Sequence, residues 1–349
     1  MLGEPLKGRG ASANPKNRFE RLEVAYDQPL TEGPATSFLK DASRSIIARN
    51  DSPDLPFSAS INPYRGCEHG CIYCYARPTH EFLGFSAGLD FESRILVKEE
   101  APALLRRELE ARSWQPEVLA LSGVTDAYQP VERRLEITRR CLEVLVEVRN
   151  PVLVVTKNAL VARDADYLGE LARHGAAAVF LSMATFDSDI LRRMEPRTSH
   201  PRRRLEAIRQ LAEAGVPVGV LVAPIVPGLT DHEIPDILQR AADAGATFAR
   251  YTLLRLPGAV APLFDSWLDE HFPGSKDKIL NRVRSLRDGR LNDSRFGYRF
   301  HAQGPFAEQV RGLFRLGCEK HGFEVGPPAL STAAFRRPGG DQLSLFGDS

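Results

Sequence analysis

The sequence has little net charge and no long apolar run, and both absences restrict what the protein can be. Lys and Arg total 46 and Asp and Glu total 45, which leaves a net charge of +1 at pH 7. Without an overall basic field, any binding to nucleic acid has to come from local patches. No apolar stretch is long enough to cross a bilayer, and residues 1–10 lack the apolar core of a secretory signal. We therefore expect a cytoplasmic protein with no membrane partner.

Cysteine is also scarce, and three of the five cysteines lie within eight residues. Cys67, Cys71 and Cys74 belong to the stretch Asn62–Tyr75, which reads N-P-Y-R-G-C-E-H-G-C-I-Y-C-Y. Thiolates spaced C-x3-C-x2-C on one tight loop can bind three irons of a [4Fe-4S] cluster, and no fourth cysteine lies nearby. One iron would therefore stay open for a ligand. Few cysteines, grouped as metal ligands, fit a reducing compartment.

Other interpretations of this loop remain open. A structural zinc site usually has four ligands, so the three cysteines would have to recruit His69 or His80. A disulfide is less suitable, because three thiols cannot pair off. The other cysteines, Cys141 and Cys318, fall on apolar helical faces, and we expect both in the core.

The cysteine spacing, with the aromatic Tyr73 directly before the last cysteine, resembles the cluster signature of the radical S-adenosylmethionine (radical SAM) enzymes. The resemblance implies a [4Fe-4S] cluster and S-adenosyl-L-methionine as cofactors. In that superfamily an electron from the cluster cleaves S-adenosylmethionine to a 5'-deoxyadenosyl radical, which abstracts hydrogen from the substrate. The cofactor carries the difficult chemistry. The protein binds and orients the cofactor and the substrate, and it excludes side reactions.

Alternation of apolar β-branched runs with amphipathic helices predicts an α/β fold, a partial (β/α)6 TIM-type barrel over residues 58–260. We expect an extended N-terminal arm over 1–57, a helical and strand extension over 261–330, and a disordered tail over 331–349. The predicted strands begin near Ala59 and cover 118–122, 152–156, 178–184, 217–223 and 247–254. The predicted helices cover 99–111, 131–148, 164–174, 201–214 and 231–244.

Active sites of such barrels lie at the carboxyl ends of the strands. Thr125 and Asp126 follow the second strand, Lys157 follows the third, and Ser182 lies near the end of the fourth. Hydroxyl, carboxylate and ammonium groups at one rim suit a zwitterionic methionine, a ribose diol and a sulfonium. Helix capping by Thr125 and Asp126, or a solvated Lys157, are the simpler alternatives.

Residues from about 60 to 230 look like the spore photoproduct lyase branch of these enzymes, also called the DNA-repair photolyase group. The matches are the cysteine loop, T-D after the second strand, T-K after the third, Ser182, Glu195 with Thr198, Arg204, and V-A-P-I before Asp231. This resemblance implies that Thr125, Asp126, Lys157 and Ser182 contact S-adenosylmethionine and that Tyr73 lies near the adenine. Glu195 and Arg204 are expected to support the rim by pairing with each other.

One departure from that branch concerns the reaction. The lyases carry a cysteine just ahead of the T-D step, where it returns a hydrogen atom to the product radical, and Gly123 stands there in this sequence. The sequence therefore argues against simple reversal of a thymine dimer by that route.

Three further segments bear on the substrate. The stretch 192–204 holds six arginines and is either a phosphate-binding patch or a solvated loop. The stretch R-F-G-Y-R-F-H (295–301) alternates aromatic and cationic residues, which we interpret as an edge strand and which would also suit base stacking. The tail residues Gln342, Leu343, Leu345 and Phe346 resemble the pentapeptide by which bacterial replication and repair proteins bind the sliding clamp.

Together these features predict a radical SAM enzyme acting on nucleic acid in a DNA-repair-like reaction. A reductase or a flavodoxin-type protein would supply the electron. Radical modification of a tRNA, a protein or a metabolite is the alternative, as is a non-catalytic iron-sulfur or zinc module.

Overall fold

The structure, a computed structural model, describes residues 6–20 and 33–337. Its strands are β1 (Ser37–Lys40), β2 (Ile47–Arg49), β3 (Ala59–Ile61), β4 (Tyr64–Arg65), β5 (Arg94–Val97), β6 (Leu119–Leu121), β7 (Val152–Thr156), β8 (Ala177–Met183), β9 (Val218–Ile225), β10 (Phe248–Leu253) and β11 (Glu324–Val325).

Its helices are α1 (Leu89–Ser93), α2 (Ala101–Glu110), α3 (Glu132–Leu135), α4 (Ile137–Val148), α5 (Ala165–Ala172), α6 (Ser188–Met194), α7 (Pro201–Glu213), α8 (Ile234–Asp243), α9 (Val260–His271), α10 (Lys276–Ser285) and α11 (Pro305–His321). No helix in the described part of the chain is long and apolar enough to span a membrane.

The main sheet has the strand order β11-β10-β9-β8-β7-β6-β3-β2. All neighbours in it are parallel except β2, which is antiparallel to β3. The six predicted strands are present within two residues of their predicted bounds. The expected α/β fold with a parallel, partial TIM-type barrel is therefore confirmed, and the carboxyl ends of six strands meet at one edge.

Both faces of the sheet are covered, which explains why its strands read as continuous apolar runs. Val154, Val179 and Val220 belong to the large core shared with the helices, whereas Phe180 and Phe248 belong to a smaller core on the opposite face. The two phenylalanine rings meet edge to face at 4.8 Å. A Cβ atom at Gly219 would lie 2.2 Å from the Phe248 ring, so the missing side chain makes room for this packing.

The described part of the N-terminal arm packs against the barrel. Strand β2 lines the edge of the main sheet, and β1 joins β5 and β4 in a three-stranded sheet. Residues 6–20 cross the cysteine loop so closely that a Cβ atom at Gly10 would lie 1.7 Å from the Gly70 carbonyl oxygen. The arm therefore covers the loop that carries the three thiols.

Two sequence-based predictions were wrong in detail. The single helix predicted over 131–148 is broken at Glu136, whose φ of 50° separates α3 from α4. The edge strand predicted over 295–301 is a turn, because Gly297 has a φ of 79° and the Tyr298 and Arg299 backbone N–H groups donate to the Arg295 carbonyl. The aromatic side chains there are exposed instead of packed on the barrel.

Candidate active site

The cysteine loop follows β4 and is fixed by backbone hydrogen bonds at both ends. The Cys67 N–H donates to the Phe91 carbonyl at 2.9 Å, and the Cys74 N–H donates to the Cys71 carbonyl at 3.2 Å. Gly66 and Gly70 have φ values of 80° and 68°, which side chains disfavour. The loop thus has a defined shape that presents three thiols.

A fully buried arginine, Arg77, binds the backbone of this loop. Arg77 donates to the carbonyls of Cys71 at 3.0 Å and Gly70 at 3.3 Å, and it forms an ion pair with the equally buried Glu92. The other contacts of Glu92 are with the N-terminal arm: its carboxylate accepts from the N–H groups of Gly10 at 3.0 Å and Ala11 at 2.9 Å. One carboxylate therefore ties the arm to the cysteine loop through Arg77.

The surroundings of the three thiols favour the binding of metal cations. None forms a disulfide, and Cys67 and Cys71 are buried while Cys74 is half-buried. Burial, together with Asp126 and the two other thiols, raises the pKa of Cys67. Burial, followed by Glu195, raises the pKa of Cys71. Because thiolates are costly in this setting, iron ions that neutralise them would be bound favourably.

The histidines considered for a zinc site have other surroundings. His69 lies with Nδ1 3.3 Å from the Asp126 carboxylate and with Nε2 3.3 Å from the Asn158 amide nitrogen. His80 is buried between the rings of Phe85 and Phe91. Within the described residues, no group of three or more His, Cys, Asp or Glu side chains is close enough together to hold a single metal ion. The donor set that remains on the loop is the three thiols, which fits a [4Fe-4S] cluster.

Asp126 connects the ends of β6 and β7 with the cysteine loop. Its carboxylate accepts from the Thr156 hydroxyl at 2.7 Å and the Lys157 N–H at 2.8 Å, and it faces His69. Burial alone would raise the pKa of Asp126, but His69 and these hydrogen bonds lower that pKa to about 2. Next to it, the Thr125 hydroxyl donates to the Tyr64 carbonyl at 2.7 Å. Both side chains therefore bind the scaffold here, and their contact with S-adenosylmethionine stays a prediction.

A buried chain of polar groups joins the cysteine loop to β8. The Tyr73 hydroxyl donates to Glu195, and Glu195 accepts from Arg204 at 2.6 Å. Arg204 also donates to the Ser182 carbonyl at 2.6 Å, while the Ser182 hydroxyl donates to the Ala223 carbonyl at 3.0 Å. The expected pairing of Glu195 with Arg204 is present and fully buried.

Lys157 places its charged end close to the cysteine loop. Its ammonium group is 5.8 Å from the centre of the Tyr73 ring. Burial would lower the pKa of Lys157, but the neighbouring Cys71 and Glu195 raise it, so the side chain carries its proton at neutral pH. A fixed positive charge at this place is suited to a carboxylate ligand.

The arginines of the stretch 192–204 do not form one patch. Arg204 is buried with Glu195, and Arg197 lies 3.6 Å from the carboxylate of Glu68. Arg192 and Arg193 lie on α6, where Arg192 pairs with Asp189 and Arg193 lies over the ring of Phe272. Arg202 and Arg203 are exposed on the first turn of α7.

A sequence profile of the Radical SAM superfamily matches residues 61–241, which is more than half of the chain. The chain belongs to the radical SAM superfamily. Enzymes of this superfamily use a [4Fe-4S] cluster and S-adenosylmethionine. An uncharacterized protein of Mycobacterium tuberculosis is 37% identical over 234 residues, covering 66% of this chain and 68% of the relative.

Two further comparisons extend the likeness within the radical SAM superfamily. A radical SAM Nalpha-GlyT isomerase of Pseudomonas phage M6 is 22% identical over 285 residues, covering 80% of this chain and 55% of the relative. A mutant spore photoproduct lyase, solved with bound AdoMet and dinucleoside spore photoproduct, superposes with a TM-score of 0.58 at 18% identity. That match covers 82% of this chain and 80% of the lyase chain, and it shows a shared fold.

Several residues that organise this radical SAM site were not predicted from the sequence. They are Asn62, Arg77 and Glu92, and also His69 in its contact with Asp126, since the sequence suggested His69 only as a zinc ligand. The Asn62 side-chain oxygen accepts from the Val124 N–H at 2.9 Å and so fixes the segment before Asp126. Only the position of Asn62, His69 and Arg77 within or next to the cysteine loop could have drawn attention to them.

Proposed function

We propose that this radical SAM enzyme abstracts a hydrogen atom from a nucleic-acid substrate in a repair-like reaction. The observation that carries the proposal is the fold shared with spore photoproduct lyase, which was solved with a dinucleoside photoproduct. At 18% identity the two proteins share a fold. The nucleic-acid substrate is our inference from that shared fold. A reductase or a flavodoxin-type protein would supply the electron.

In this proposal Cys67, Cys71 and Cys74 would hold the cluster, which would supply the electron for reductive cleavage of S-adenosylmethionine to the 5'-deoxyadenosyl radical. Lys157 carries a positive charge suited to the methionine carboxylate. Tyr73 is held by Glu195 and offers a ring beside the adenine.

Thr125, Asp126 and Ser182 are the remaining proposed contacts of S-adenosylmethionine. Each already donates or accepts a hydrogen bond within the scaffold. The Thr125 and Ser182 hydroxyl oxygens still have acceptor capacity, because each acts only as a donor within the described part of the chain and carries two lone pairs. The Asp126 carboxylate already faces Thr156, Tyr128, Lys157 and His69, so it would exchange one of these partners to contact the cofactor. We therefore expect these side chains to bind the cofactor from positions that are already fixed.

We further propose that no cysteine of this chain returns the hydrogen atom to the substrate. A Cβ atom at Gly123 would lie 3.0 Å from Cβ of Ser60, so a cysteine at that position would require Ser60 to shift by a few tenths of an ångström. Cys141 and Cys318 are buried in the core between the sheet and the helices. This arrangement favours a hydrogen donor other than a cysteine of this chain. Alternatively, the abstracted hydrogen atom is not returned and the product remains modified.

The test is an anaerobic assay of the reconstituted protein with S-adenosylmethionine, dithionite and a deuterium-labelled DNA oligonucleotide irradiated with ultraviolet light. We expect 5'-deoxyadenosine in the wild type and in Cys318→Ala, and none above background in Cys71→Ala. Deuterium in the 5'-deoxyadenosine would identify DNA as the hydrogen source.

Two results would contradict different parts of the proposal. Equal 5'-deoxyadenosine from wild type and Cys71→Ala would remove the radical chemistry. If DNA does not stimulate cleavage of S-adenosylmethionine and no deuterium from DNA appears in the 5'-deoxyadenosine, DNA is not the substrate. That result would favour a tRNA, a protein or a metabolite. The same assay with tRNA and with peptide mixtures separates these alternatives.

A further inference from the structure

Beside the cysteine loop, the edge of the barrel carries cations and aromatic rings that converge from three parts of the chain. We call Tyr75, Arg255, Arg287, Arg299 and Phe300 the cation-aromatic cluster. Tyr75 directly follows the last cysteine of the loop, and Arg255 comes two residues after β10. The other three belong to the segment between α10 and α11, which the Leu256 N–H holds against the end of β10 by donating to the Leu291 carbonyl at 3.2 Å.

Arg287 is a buried cation, and two of its guanidinium nitrogens are unsatisfied within the described part of the chain. Its side chain is 6% exposed, and neither Nε nor Nη1 has a hydrogen-bond partner among the described residues. Burial, and then the charge of Arg255, lower the pKa of Arg287 to about 10. By contrast, the buried Arg77 and Arg204 donate to several carbonyl and carboxylate oxygens. A buried guanidinium without acceptors is costly, so an acceptor supplied from outside would be favoured.

The surrounding charges do not neutralise this group. Arg255 and Arg299 both lie over the Phe300 ring, at 4.6 and 5.2 Å from its centre. Arg299 Nε is 2.8 Å from the Asp54 carboxylate, although neither of these two atoms has the alignment of a hydrogen bond. The cluster therefore brings three guanidiniums to two carboxylates, Asp54 and Asp293, and Asp293 is already paired with Arg295.

Aromatic surface is exposed at the same place. Tyr75 is 50% exposed and Phe300 is 38% exposed. The Tyr75 ring is fixed, because its hydroxyl donates to the Gly123 carbonyl at 2.9 Å and Arg255 lies 5.2 Å from the ring centre. Rigid ring faces next to guanidiniums are the combination that binds single-stranded nucleic acid, since bases stack on the rings and phosphates bind the cations.

We propose that the cation-aromatic cluster binds one nucleotide step of a nucleic-acid strand, with a phosphodiester at Arg255 and Arg287 and a base against Tyr75 and Phe300. This inference rests on the proposed nucleic-acid substrate and adds where the strand is held. Guanidinium forks match phosphate oxygens in pairs, which would supply the missing acceptors of Arg287. Stacking on rings does not depend on base identity, so the site would hold a strand without reading its sequence.

The test measures binding of a fluorescently labelled single-stranded DNA to the reconstituted enzyme by anisotropy at several salt concentrations. We expect Arg287→Gln and Arg255→Gln each to weaken binding by about tenfold or more, as for the loss of a hydrogen bond to a charged group. The slope of log affinity against log salt should fall by about 0.7 for each lost phosphate contact. Arg311→Gln is the matched control, because Arg311 pairs with Glu308 on the exposed face of α11; it should bind like the wild type.

Arg287 is buried, so its replacement has to be distinguished from misfolding. Arg287→Lys keeps the positive charge but loses the planar guanidinium fork, so it should keep the wild-type salt slope and recover part of the affinity that Arg287→Gln loses. A collapsed site would lose affinity and salt slope alike in both variants. Iron content and the thermal midpoint of each variant are measured alongside.

The outcomes separate the two proposals. A wild-type enzyme that binds no DNA or RNA strand would contradict the proposed substrate and this site with it. A wild type that binds, with Arg255→Gln and Arg287→Gln binding equally tightly and with the same salt slope, would contradict this site alone.

Discussion

Glu92→Gln tests whether one buried carboxylate secures both the cysteine loop and the N-terminal arm. Glu92 and Arg77 form an ion pair that is fully buried, and the same carboxylate accepts from the N–H groups of Gly10 and Ala11. Glutamine has the same shape but no charge, and its amide group would present N–H donors to other donors. We therefore expect the variant to be strongly destabilised.

The size of the effect follows from the burial of the pair. Removing one partner of a buried ion pair costs about 3–5 kcal/mol, because the other charge is left uncompensated. Unfolding entropy is about 2.1 cal/mol/K per residue, or about 0.7 kcal/mol/K for this chain of 349 residues. The midpoint of thermal unfolding should consequently fall by about 4–7 °C.

Scanning calorimetry of metal-free and reconstituted protein measures this shift, and iron per chain after gel filtration shows whether the loop still retains its cluster. Glu206→Gln is the control, since Glu206 pairs with Arg209 on the surface, where an ion pair contributes only about 0–1 kcal/mol. A Glu92→Gln midpoint within about 1 °C of wild type, with iron retained, would refute the reasoning.

Three other predictions concern separate parts of the chain. Gly219→Ala should cost about 1–3 kcal/mol in denaturant unfolding, because the new methyl group meets the Phe248 ring, whereas Gly312→Ala on α11, with open space around it, should be neutral or stabilising. Because the pKa of Asp126 is held at about 2, below about 3.9 for an unfolded chain, its contribution to stability is present above about pH 4 and is lost as pH falls through 2. Asp126→Asn should flatten that part of the pH profile of metal-free protein, and an unchanged profile would contradict the assignment. The tail segment 342–346 lies outside the described residues; we propose from its sequence that it binds the sliding clamp, so deleting it should abolish clamp capture in a pull-down while leaving 5'-deoxyadenosine formation unchanged.

The fold was predictable because its signals are local and repeated. Apolar runs on β7, β8 and β9 stand at regular spacing between amphipathic helices, and the cysteine loop has a distinctive spacing of its own. The arrangement of the rim was less accessible. Asp126 is held by His69, and Glu92 by the arm, and such partners are far apart in the sequence and follow no period.

The wrong strand over 295–301 has an equally physical cause. Alternating aromatic and cationic residues imitate the two-residue period of a strand. Gly297 adopts a left-handed backbone, and the arginines lie over the rings of the same segment instead of on an opposite face. The alternation of residue types in this segment is real, but its backbone forms a turn instead of a strand.

The two edges of the main sheet are covered from opposite ends of the chain, and this arrangement bears on aggregation. β2, of three residues, covers one edge, and β11, of two residues, covers the other, so little free edge is offered to another chain. α11 packs closely on α8, where a Cβ atom at Gly317 would lie 2.5 Å from Leu238. A fragment truncated near residue 260 would expose the hydrogen-bonding edge of β10 and the apolar face of α8. We therefore expect such a barrel fragment to self-associate through β10.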